Sequence, residues 1–269
     1  GSLLDGPGQV LAAEGIAVQT LIPGYRAVMG ALDRPVVALE LPGLFGGAAR
    51  VLEARHAGLD LLVLDAPHLF DRPGGPYGAP GGKEWGDNVL RFAALARAAA
   101  ALTLEHGFAA VHAHDWQAGL VPAYLRFGPR PVPCLFTIHN MAFQGRFPAS
   151  LFHALGLPSH AYAREGLEYY GGVGFLKSGL WFADAISTVS PSYAAEILTS
   201  EGGMGLDGLL RGRSGDLHGI LNGLDVVDWN PETDTHLAAR YSADDMKPRA
   251  ANKTAVQARL GLTTDPAVP

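Results

Sequence analysis

The sequence predicts an α/β fold built on a doubly wound parallel sheet. Short apolar runs alternate with longer helical patterns along the chain, which is typical of βαβ units. Two of these runs, Ala109–Val111 and Cys134–Ile138, each end in polar residues and have a helix-like segment between them. With 269 residues, the chain is long enough for one large α/β domain or for one and a half.

The first quarter of the sequence predicts four strands. Residues Gly1–Gly8 are rich in glycine and give no strand pattern, and Val10–Glu14 followed by Gly15 is typical of the end of a helix. The predicted strands are Val18–Ile22, Val36–Leu41, Arg50–Glu53 and Leu59–Leu64. The last run is continuously apolar, which indicates a buried strand of the parallel type.

A loop is predicted at Asp71–Lys83, which reads DRPGGPYGAPGGK. It is longer than the usual connection, which fits either a binding loop or a flexible excursion, and Tyr77 is its one large side chain. The next segment, Asp87–Leu104, has apolar residues at helical spacing, and Asp87 or Asn88 is the predicted N-cap. This helix leads into the unit with two polar strand ends.

The second half of the chain continues the alternation of helices and strands. Its predicted helices are Trp116–Arg126, Phe175–Phe182, Pro191–Leu198 and Asp244–Leu260, the third capped by Ser190. Its predicted strands are Ala185–Val189 and Leu217–Leu221. Gly202–Gly208 is predicted to be a plain loop, because it lacks the Lys-Ser/Thr ending of a phosphate-binding loop.

Composition and charge exclude several classes of protein. The net charge of −6 argues against a nucleic-acid partner, since binding phosphate backbones requires a basic face. Cys134 is the only cysteine, so no intrachain disulfide can form. No apolar run reaches the roughly 18–20 residues that span a bilayer. We therefore expect a cytoplasmic protein without a nucleic-acid or membrane partner.

Polar residues cluster at the ends of two predicted strands. In open parallel sheets, ligands bind in the crevice beyond the carboxyl ends of the strands. The polar residues expected there are His112, His114, Asp115, His139 and Asn140. Asp115 precedes the helix predicted from Trp116, so it is the predicted N-cap of that helix, a position from which a carboxylate can also face a ligand. The sequence therefore predicts a functional crevice at these strand ends.

The His-x-His pair at the first strand end has two interpretations. His112 and His114 lie two residues apart and so share one face of a strand, where two imidazoles can bind a metal ion. Such a site needs further ligands, and His139 and His218 are the only histidines close to later strands. In the other interpretation, His112 is a hydrogen-bonded core residue. Both interpretations stay open on the sequence alone.

Four longer stretches resemble one known family. They are HAHDWQAGLVPAYLR from His112, TIHNMAFQGRF from Thr137, GLEYYGGVGFLKSGLWFADAISTVSPSYAAEI from Gly166, and GILNGLDVVDWNPETD from Gly219. From about Val10 onward the chain resembles the amino-terminal half of bacterial glycogen synthase and of the similar plant starch synthases. The resemblance implies a GT-B architecture, with two Rossmann-like domains across a cleft. It also implies transfer of glucose from ADP-glucose to the 4-hydroxyl end of an α-1,4-glucan with retention of configuration.

The resemblance implies roles for individual residues. His139 corresponds to the family's active-site histidine, and Asp115 corresponds to a cleft aspartate, so both are predicted catalytic residues. Asn222 and Asn140 are predicted to lie on the donor side. The residues predicted to bind the glucan acceptor are Tyr77, Asp87, Asn88, Arg91 and Gln144. Neither a cofactor nor a metal ion is implied, since ADP-glucose is a substrate.

Both ends of the sequence depart from the family's pattern. The family opens with a strand and a Lys-x-Gly-Gly loop, and residues 1–8, GSLLDGPG, keep little of that motif. We therefore expect residues 1–243 to be the acceptor-side domain without this first strand, and residues 244–269 to begin the connection to an absent nucleotide-sugar-binding domain. We expect the chain alone to be inactive. The alternatives are a glucan-binding fragment without catalysis and a His-x-His metal-dependent hydrolase.

Overall fold

The computed structural model describes residue 11, residues 14–56 and residues 58–268. The chain divides into two units, Gly1–Asn222 and Gly223–Pro269. The predictions for Gly1–Gly8 and for most of Val10–Glu14 lie outside the described residues. The predicted boundary after residue 243 stays a prediction. No helix in the described ranges has the length and apolar character that crossing a membrane requires.

The first part of unit 1 forms a mixed sheet. Its strands are β1 (Thr20–Pro23), β2 (Val36–Leu44), β3 (Gly47–His56) and β4 (Leu59–Asp65), in the order β1-β4-β3-β2. β4 is a buried central strand, as its apolar run predicted. It is parallel to β1 but antiparallel to β3. Only two residues separate β3 from β4 in the sequence, which is too few for the crossover that a parallel pair requires.

A second sheet of unit 1 is entirely parallel. Its strands are β5 (Val111–His114), β6 (Cys134–Ile138), β10 (Ala185–Thr188) and β11 (Leu217–Gly219), in the order β11-β10-β6-β5. The parallel βαβ pattern confirms the predicted fold class. These strands form two separate four-stranded sheets and not one continuous sheet. Within the described ranges, no strand pairs with both β1 and β5 to join them.

Three short strands follow the second polar strand end. β7 (Arg146–Pro148), β8 (Glu168–Tyr169) and β9 (Gly172–Gly174) form an antiparallel sheet in the order β7-β9-β8. The sequence predicted only a loose region after Gly145, because strands of two or three residues are too short to show a periodic pattern. Tyr170 and Gly171 form the turn between β8 and β9 with φ values of 47° and 74°, as in a type I′ hairpin.

Eight helices accompany these strands within the described ranges. They are α1 (Arg26–Ala31), α2 (Pro67–Phe70), α3 (Asn88–His106), α4 (Val121–Arg126), α5 (Phe175–Phe182), α6 (Pro191–Glu196), α7 (Asp207–Gly212) and α8 (Arg249–Arg259). The prediction for α5 is confirmed residue for residue. The predicted cap of α6 is also confirmed, since Ser190 Oγ accepts the backbone N–H of Tyr193 at 2.9 Å.

One helix prediction and one loop prediction are wrong in part. The helix predicted over Trp116–Arg126 is a 3-10 turn at Trp116–Ala118 followed by α4. Pro122 has no N–H to donate to the carbonyl four residues earlier, so a continuous α-helix lacks that bond. The loop predicted at Gly202–Gly208 ends early, because α7 begins at Asp207 and its Leu210 side chain is fully buried.

Helix α3 packs against both four-stranded sheets. One side contributes Val89, Phe92, Ala93, Ala96 and Ala100 to a core that also contains Phe136 and Ile138 of β6. The other side contributes Ala94, Ala98 and Leu102 to a core with β3 and β4. Alanine side chains are small enough to let the helix approach two layers closely. The helix therefore joins the sheet that bears the polar strand ends to the mixed sheet.

Candidate active site

Two histidines meet at the carboxyl edge of the parallel sheet. His114 is the last residue of β5, and His139 follows β6, the neighbouring strand. His114 Nδ1 lies 3.1 Å from His139 Nε2, which is hydrogen-bond distance. The His112 ring lies against His114 at a tilt of 34°, with 4.1 Å between ring centroids. The strand ends predicted to form one crevice therefore do come together.

Asp115 crosses from the first strand end to the second. Its Oδ1 accepts the backbone N–H of His139 at 2.8 Å, and its own backbone N–H donates to the Thr137 carbonyl at 2.9 Å. The predicted side-chain N-cap at Asp115 is wrong, because the carboxylate turns toward β6 and makes no capping bond to the 3-10 turn. The φ of 52° at Asp115 accompanies this turn, and such a conformation costs a non-glycine residue about 1–3 kcal/mol.

A row of hydrogen bonds runs across three strands behind these histidines. His112 Nε2 lies 2.6 Å from Thr137 Oγ1 on β6, and Thr137 Oγ1 lies 2.6 Å from Ser187 Oγ on β10. Thr137 and Ser187 are buried, whereas His112 itself is exposed at the sheet edge. The interpretation of His112 as a hydrogen-bonded residue is thus confirmed, but its position in the core is wrong, because β5 is the edge strand.

Loss of hydration and neighbouring imidazoles favour the neutral forms of His112 and His114. Loss of hydration, together with the neighbouring His112 and His139, lowers the pKa of His114 to about 3. The pKa of His112 is also lowered, first by loss of hydration and then by His139. Neutral rings can each donate one hydrogen bond and accept another.

The structure gives no support to a metal centre at the His-x-His pair. Within the described part of the chain, no three His, Cys, Asp or Glu side chains are arranged to hold a metal ion. His112 Nε2 and His114 Nδ1 are both at hydrogen-bond distance from protein partners. His218 lies on β11, which is separated from β6 by β10. The ligand set that this alternative required is therefore not assembled.

The loop at Asp71–Lys83 is anchored by a buried arginine. Arg91 of α3 is only 1% exposed, and its guanidinium donates to the carbonyls of Leu69 at 2.9 Å and Pro76 at 2.7 Å. Arg91 also donates to Asn88 Oδ1 at 2.7 Å, and Asn88 Nδ2 donates to the Tyr77 carbonyl at 2.9 Å. These bonds argue against a merely flexible excursion, and the binding role of the loop stays a prediction.

Asp87 holds the same loop from its other side. Both of its carboxylate oxygens accept from the Arg72 guanidinium at 2.9 Å. Asp87 occupies the predicted N-cap position of α3, but its side chain makes no capping bond. Asn88 is the first residue of the helix, so it is not the cap, and both side chains bind the loop instead. A direct contact of Asp87, Asn88 or Arg91 with a glucan stays a prediction.

Tyr77 is the exposed aromatic side chain that this loop carries. Its side chain is 45% exposed, and its ring lies 5.9 Å from Phe92 and 6.1 Å from Trp116 between centroids. The Tyr77 hydroxyl accepts from Gln117 Nε2 at 2.7 Å. Gln117, which sequence reasoning missed as a site residue, belongs to the same HDWQ motif as Asp115. The loop is thus linked to the end of β5, and its residues line an open depression of about 370 Å³ that includes Tyr77.

The remaining predicted residues lie along the same edge of the sheet. Asn140 is exposed beside His139, and its Oδ1 accepts the backbone N–H of Ala142 at 2.9 Å. Gln144 Nε2 donates to the Met204 carbonyl at 3.1 Å, which ties the loop beyond β6 to the segment before α7. Asn222 is exposed three residues beyond β11. Contacts of these residues with donor or acceptor stay predictions.

The fold and the site define a class of protein. A Rossmann-like α/β domain with polar side chains at the carboxyl ends of its parallel strands forms one wall of the ligand cleft in GT-B glycosyltransferases. A family model described as "Starch synthase catalytic domain" matches residues 3–212. The chain belongs to this family, which confirms the resemblance seen in the sequence.

Individual relatives agree with the family match. The chain is 60% identical over 261 residues to the glycogen synthase of Acidiphilium cryptum, and the aligned residues cover 95% of this chain and 54% of that relative. It is 55% identical over 274 residues to a glycogen synthase of Rhodopseudomonas palustris, which covers 99% of this chain and 57% of that relative. The chain therefore spans about half the length of the curated relatives that it matches.

A solved structure supports the same fold. It is described as the catalytic domain of starch synthase IV from Arabidopsis thaliana bound to ADP and acarbose. The two structures match with a TM-score of 0.78 and 29% sequence identity, over 99% of this chain and 56% of that one. This match confirms the predicted assignment to half of a GT-B fold.

Proposed function

We propose that this chain is the acceptor-side part of a glycogen synthase. The complete enzyme would transfer glucose from ADP-glucose to the 4-hydroxyl end of an α-1,4-glucan with retention of configuration. The observation that carries the proposal is the 60% identity to the Acidiphilium glycogen synthase over 95% of the chain. The preference for ADP-glucose rests on this similarity, and ADP is also bound in the Arabidopsis structure.

In this proposal His139 acts at the reacting carbon of the donor glucose. Glycosyl transfer develops positive charge at the anomeric carbon, and a neutral imidazole or a carbonyl oxygen held beside that carbon stabilises the charge. The backbone of His139 is fixed by Asp115, and its ring is fixed by His114. Asp115 therefore contributes by holding His139 in place, and Asn140 and Asn222 lie on the donor side of the same sheet edge.

The anchored loop provides the acceptor surface. A sugar ring has an apolar face that buries well against an aromatic side chain, and Tyr77 presents such a ring to solvent. Asp87, Asn88 and Arg91 hold Tyr77 in place through the bonds described above, and Gln144 lies beyond the second strand end. An α-1,4-glucan, such as glycogen or a maltooligosaccharide, is the ligand that this arrangement would take.

The other partner in the proposal is a second GT-B domain. Since the curated relatives are nearly twice as long, the complete cleft has a wall that this chain does not supply. That wall would neutralise the leaving diphosphate, which the transfer requires. We propose that the enzyme acts in the cytoplasm, where it uses no cofactor or metal ion and has no nucleic-acid or membrane partner.

The proposal can be tested with an extended synthase, in which this chain is joined to the carboxyl-terminal part of the Acidiphilium cryptum glycogen synthase. Glucose incorporation into glycogen is measured with ADP-glucose and with UDP-glucose. We expect incorporation from ADP-glucose by the extended synthase and none by the chain alone. A folded extended synthase that uses neither donor would contradict the proposal.

The alternative of a glucan-binding fragment is tested on the chain itself. An amide NMR spectrum of the labelled chain is recorded with and without maltoheptaose. Shifts near Tyr77, together with an inactive extended synthase, would favour glucan binding without catalysis. Shifts near Tyr77 together with an active extended synthase support the proposed enzyme.

A further inference from the structure

The hydrogen bond between two imidazoles limits where their protons lie. His114 Nδ1 and His139 Nε2 are 3.1 Å apart, so one nitrogen carries the proton and the other offers its lone pair. A neutral imidazole carries a single N–H, which means that the tautomer of one ring determines the tautomer of the other. Two arrangements of the pair satisfy this condition.

The intrinsic preference of histidine distinguishes the two arrangements. In the first arrangement, His139 donates its Nε2–H to His114 Nδ1, and both rings have the Nε2–H form that free histidine favours. In the second arrangement, His114 donates its Nδ1–H, and both rings must adopt the less favourable Nδ1–H form. The nitrogen–nitrogen distance of 3.1 Å is the same in both arrangements, so the preference of histidine for the Nε2–H form decides between them. The first arrangement is therefore the more stable one. It also requires His114 to stay unprotonated, and its lowered pKa agrees with this requirement.

The surrounding residues hold the accepting ring in place. His114 lies against His112, whose Nε2 is bonded to the Thr137 hydroxyl, and that hydroxyl is bonded in turn to Ser187. Thr137 and Ser187 lie on β6 and β10, so the row is fixed by three adjacent strands. The orientation of the His114 ring is therefore set by the parallel sheet and not by solvent.

We propose that His114 is a positioning residue that holds His139 in its Nε2–H tautomer and so leaves Nδ1 of His139 as an unprotonated acceptor facing the substrate crevice. This inference rests on the proposed glucosyl transfer for the identity of the substrate. In that reaction, Nδ1 accepts a hydrogen bond from a hydroxyl group of the sugar. Within the described part of the chain, no hydrogen bond occupies Nδ1 of His139.

The arrangement suits a reaction that develops positive charge. If Nδ1 carried the proton, its N–H dipole would point toward the sugar and would oppose that charge. With the proton on Nε2, the lone pair of Nδ1 faces the crevice. His114 thereby affects the chemistry without contact with the substrate. The same bond restricts rotation of the His139 ring, so the acceptor atom is already in position when the sugar binds.

The tautomer can be measured directly on the chain. Long-range proton–nitrogen correlation spectra of the ¹⁵N-labelled chain at pH 7.5 distinguish a protonated from an unprotonated ring nitrogen. The signals of His139 are assigned by their loss in the His139→Gln variant. We expect a pyrrole-type shift for Nε2 and a pyridine-type shift for Nδ1. The opposite pattern, or averaged shifts for both nitrogens, would overturn the proposal even if no further variant folds.

Two substitutions of His114 separate positioning from packing. In His114→Asn, the side-chain oxygen can replace Nδ1 as acceptor, so the shifts of His139 should stay close to those of the unmodified chain. In His114→Leu, the acceptor is lost, and the two nitrogen shifts of His139 should move toward each other. Substituting the exposed His153 by Gln is the matched control and should leave His139 unchanged. Unchanged His139 shifts in a folded His114→Leu chain would contradict the role of His114.

Activity provides a separate measurement in the extended synthase. We expect His114→Leu to lower kcat with little change in the KM for glycogen, and His114→Asn to recover most of the loss. If the extended synthase is inactive while the NMR result holds, the proposed function fails and the tautomer assignment stands. If kcat falls equally in His114→Leu and His114→Asn, the acceptor atom is not what matters, and His114 only packs against its neighbours.

Discussion

The carboxylate of Asp115 accepts the backbone N–H of His139 at 2.8 Å. The bond joins the ends of two adjacent parallel strands, and the backbone of Asp115 reaches the same strand through the Thr137 carbonyl. Asp115 has a positive φ of 52°, and its side chain is directed toward the end of β6. The position of His139 therefore depends on an aspartate that follows another strand.

Replacing Asp115 by alanine should destabilise the chain by about 1–3 kcal/mol, because the His139 N–H loses its partner. Asp115→Asn should lower the free energy of unfolding by less, since asparagine keeps an acceptor oxygen and tolerates a positive φ. Urea unfolding measures both changes. Asp244→Ala, at an exposed position of unit 2, is the control and should stay within about 0.5 kcal/mol of the unmodified chain. Equal stabilities for Asp115→Ala and the control would show that the bond contributes nothing.

In the extended synthase, His139→Ala should lower kcat by orders of magnitude and leave glycogen affinity nearly intact. The reason is that the proposed interaction forms with the transition state and not with the bound acceptor. Initial rates over a range of glycogen concentrations separate the two quantities, and His153→Ala is the matched control. A loss of glycogen binding as large as the loss of turnover would instead make His139 a structural residue.

Tyr77→Ala should weaken maltoheptaose binding by about 0.5–1.5 kcal/mol, because the stacking surface is lost. Tyr77→Phe keeps the ring and loses only the hydrogen bond from Gln117, so its effect should be small. Calorimetric titration of the chain gives both dissociation constants. If the ring stacks on the sugar, Tyr77→Ala should bind maltoheptaose more weakly than Tyr77→Phe. Equal losses of affinity in the two variants would assign the effect to the hydroxyl group.

Arg91→Met should release the loop that carries Tyr77. The substitution removes the charged donor to the Leu69 and Pro76 carbonyls, which should cost roughly 3 kcal/mol of unfolding free energy. Proteinase K should then cut within Asp71–Lys83 at concentrations that spare the unmodified chain. Arg126→Met, at an exposed position of α4, should leave both stability and cleavage unchanged. An uncut loop in Arg91→Met would show that other contacts hold it.

His114 should make the stability of the fold sensitive to acid. The pKa of His114 is lowered from 6.5 to about 3, so between these values the unfolded chain binds a proton that the folded chain does not. Stability should therefore be complete above pH 6.5 and fall as the pH decreases toward about 3. Urea unfolding from pH 7.5 to pH 5 measures the slope, which should be shallower in His114→Asn. An identical slope in that variant would assign acid sensitivity to other groups.

The sequence predicted the features that depend on local patterns. Apolar runs located the buried strands, and Ser190 before Pro191 located the start of α6. Bonds between strands were not predictable, because they depend on register and on backbone conformations such as that of Asp115. For this reason, the capping bonds that local patterns predicted for several side chains are not formed. Asp87 and Asp115 each precede a helical segment and Asn88 begins one, but their side chains bind the loop or the neighbouring strand end instead of capping a helix.

The resemblance to glycogen synthases identified His139 but gave no information on how its ring is held. His114 orients the ring from β5, which is paired with β6, and behind it a row of hydrogen bonds runs from His112 through Thr137 to Ser187. A polar residue at the end of each of several parallel strands is the signal in the sequence that could have found this row. Its members can be recognised only once the strand order is known.

Helix α3 contributes side chains to the cores of both four-stranded sheets. Neither sheet can lose this helix and keep its own core, so the two should melt in one cooperative transition. Ala94 belongs to one core and Ala96 to the other, so a larger side chain at either position that shifts α3 would disturb both cores. Substitutions in the two sheets should consequently show thermodynamic coupling through this helix.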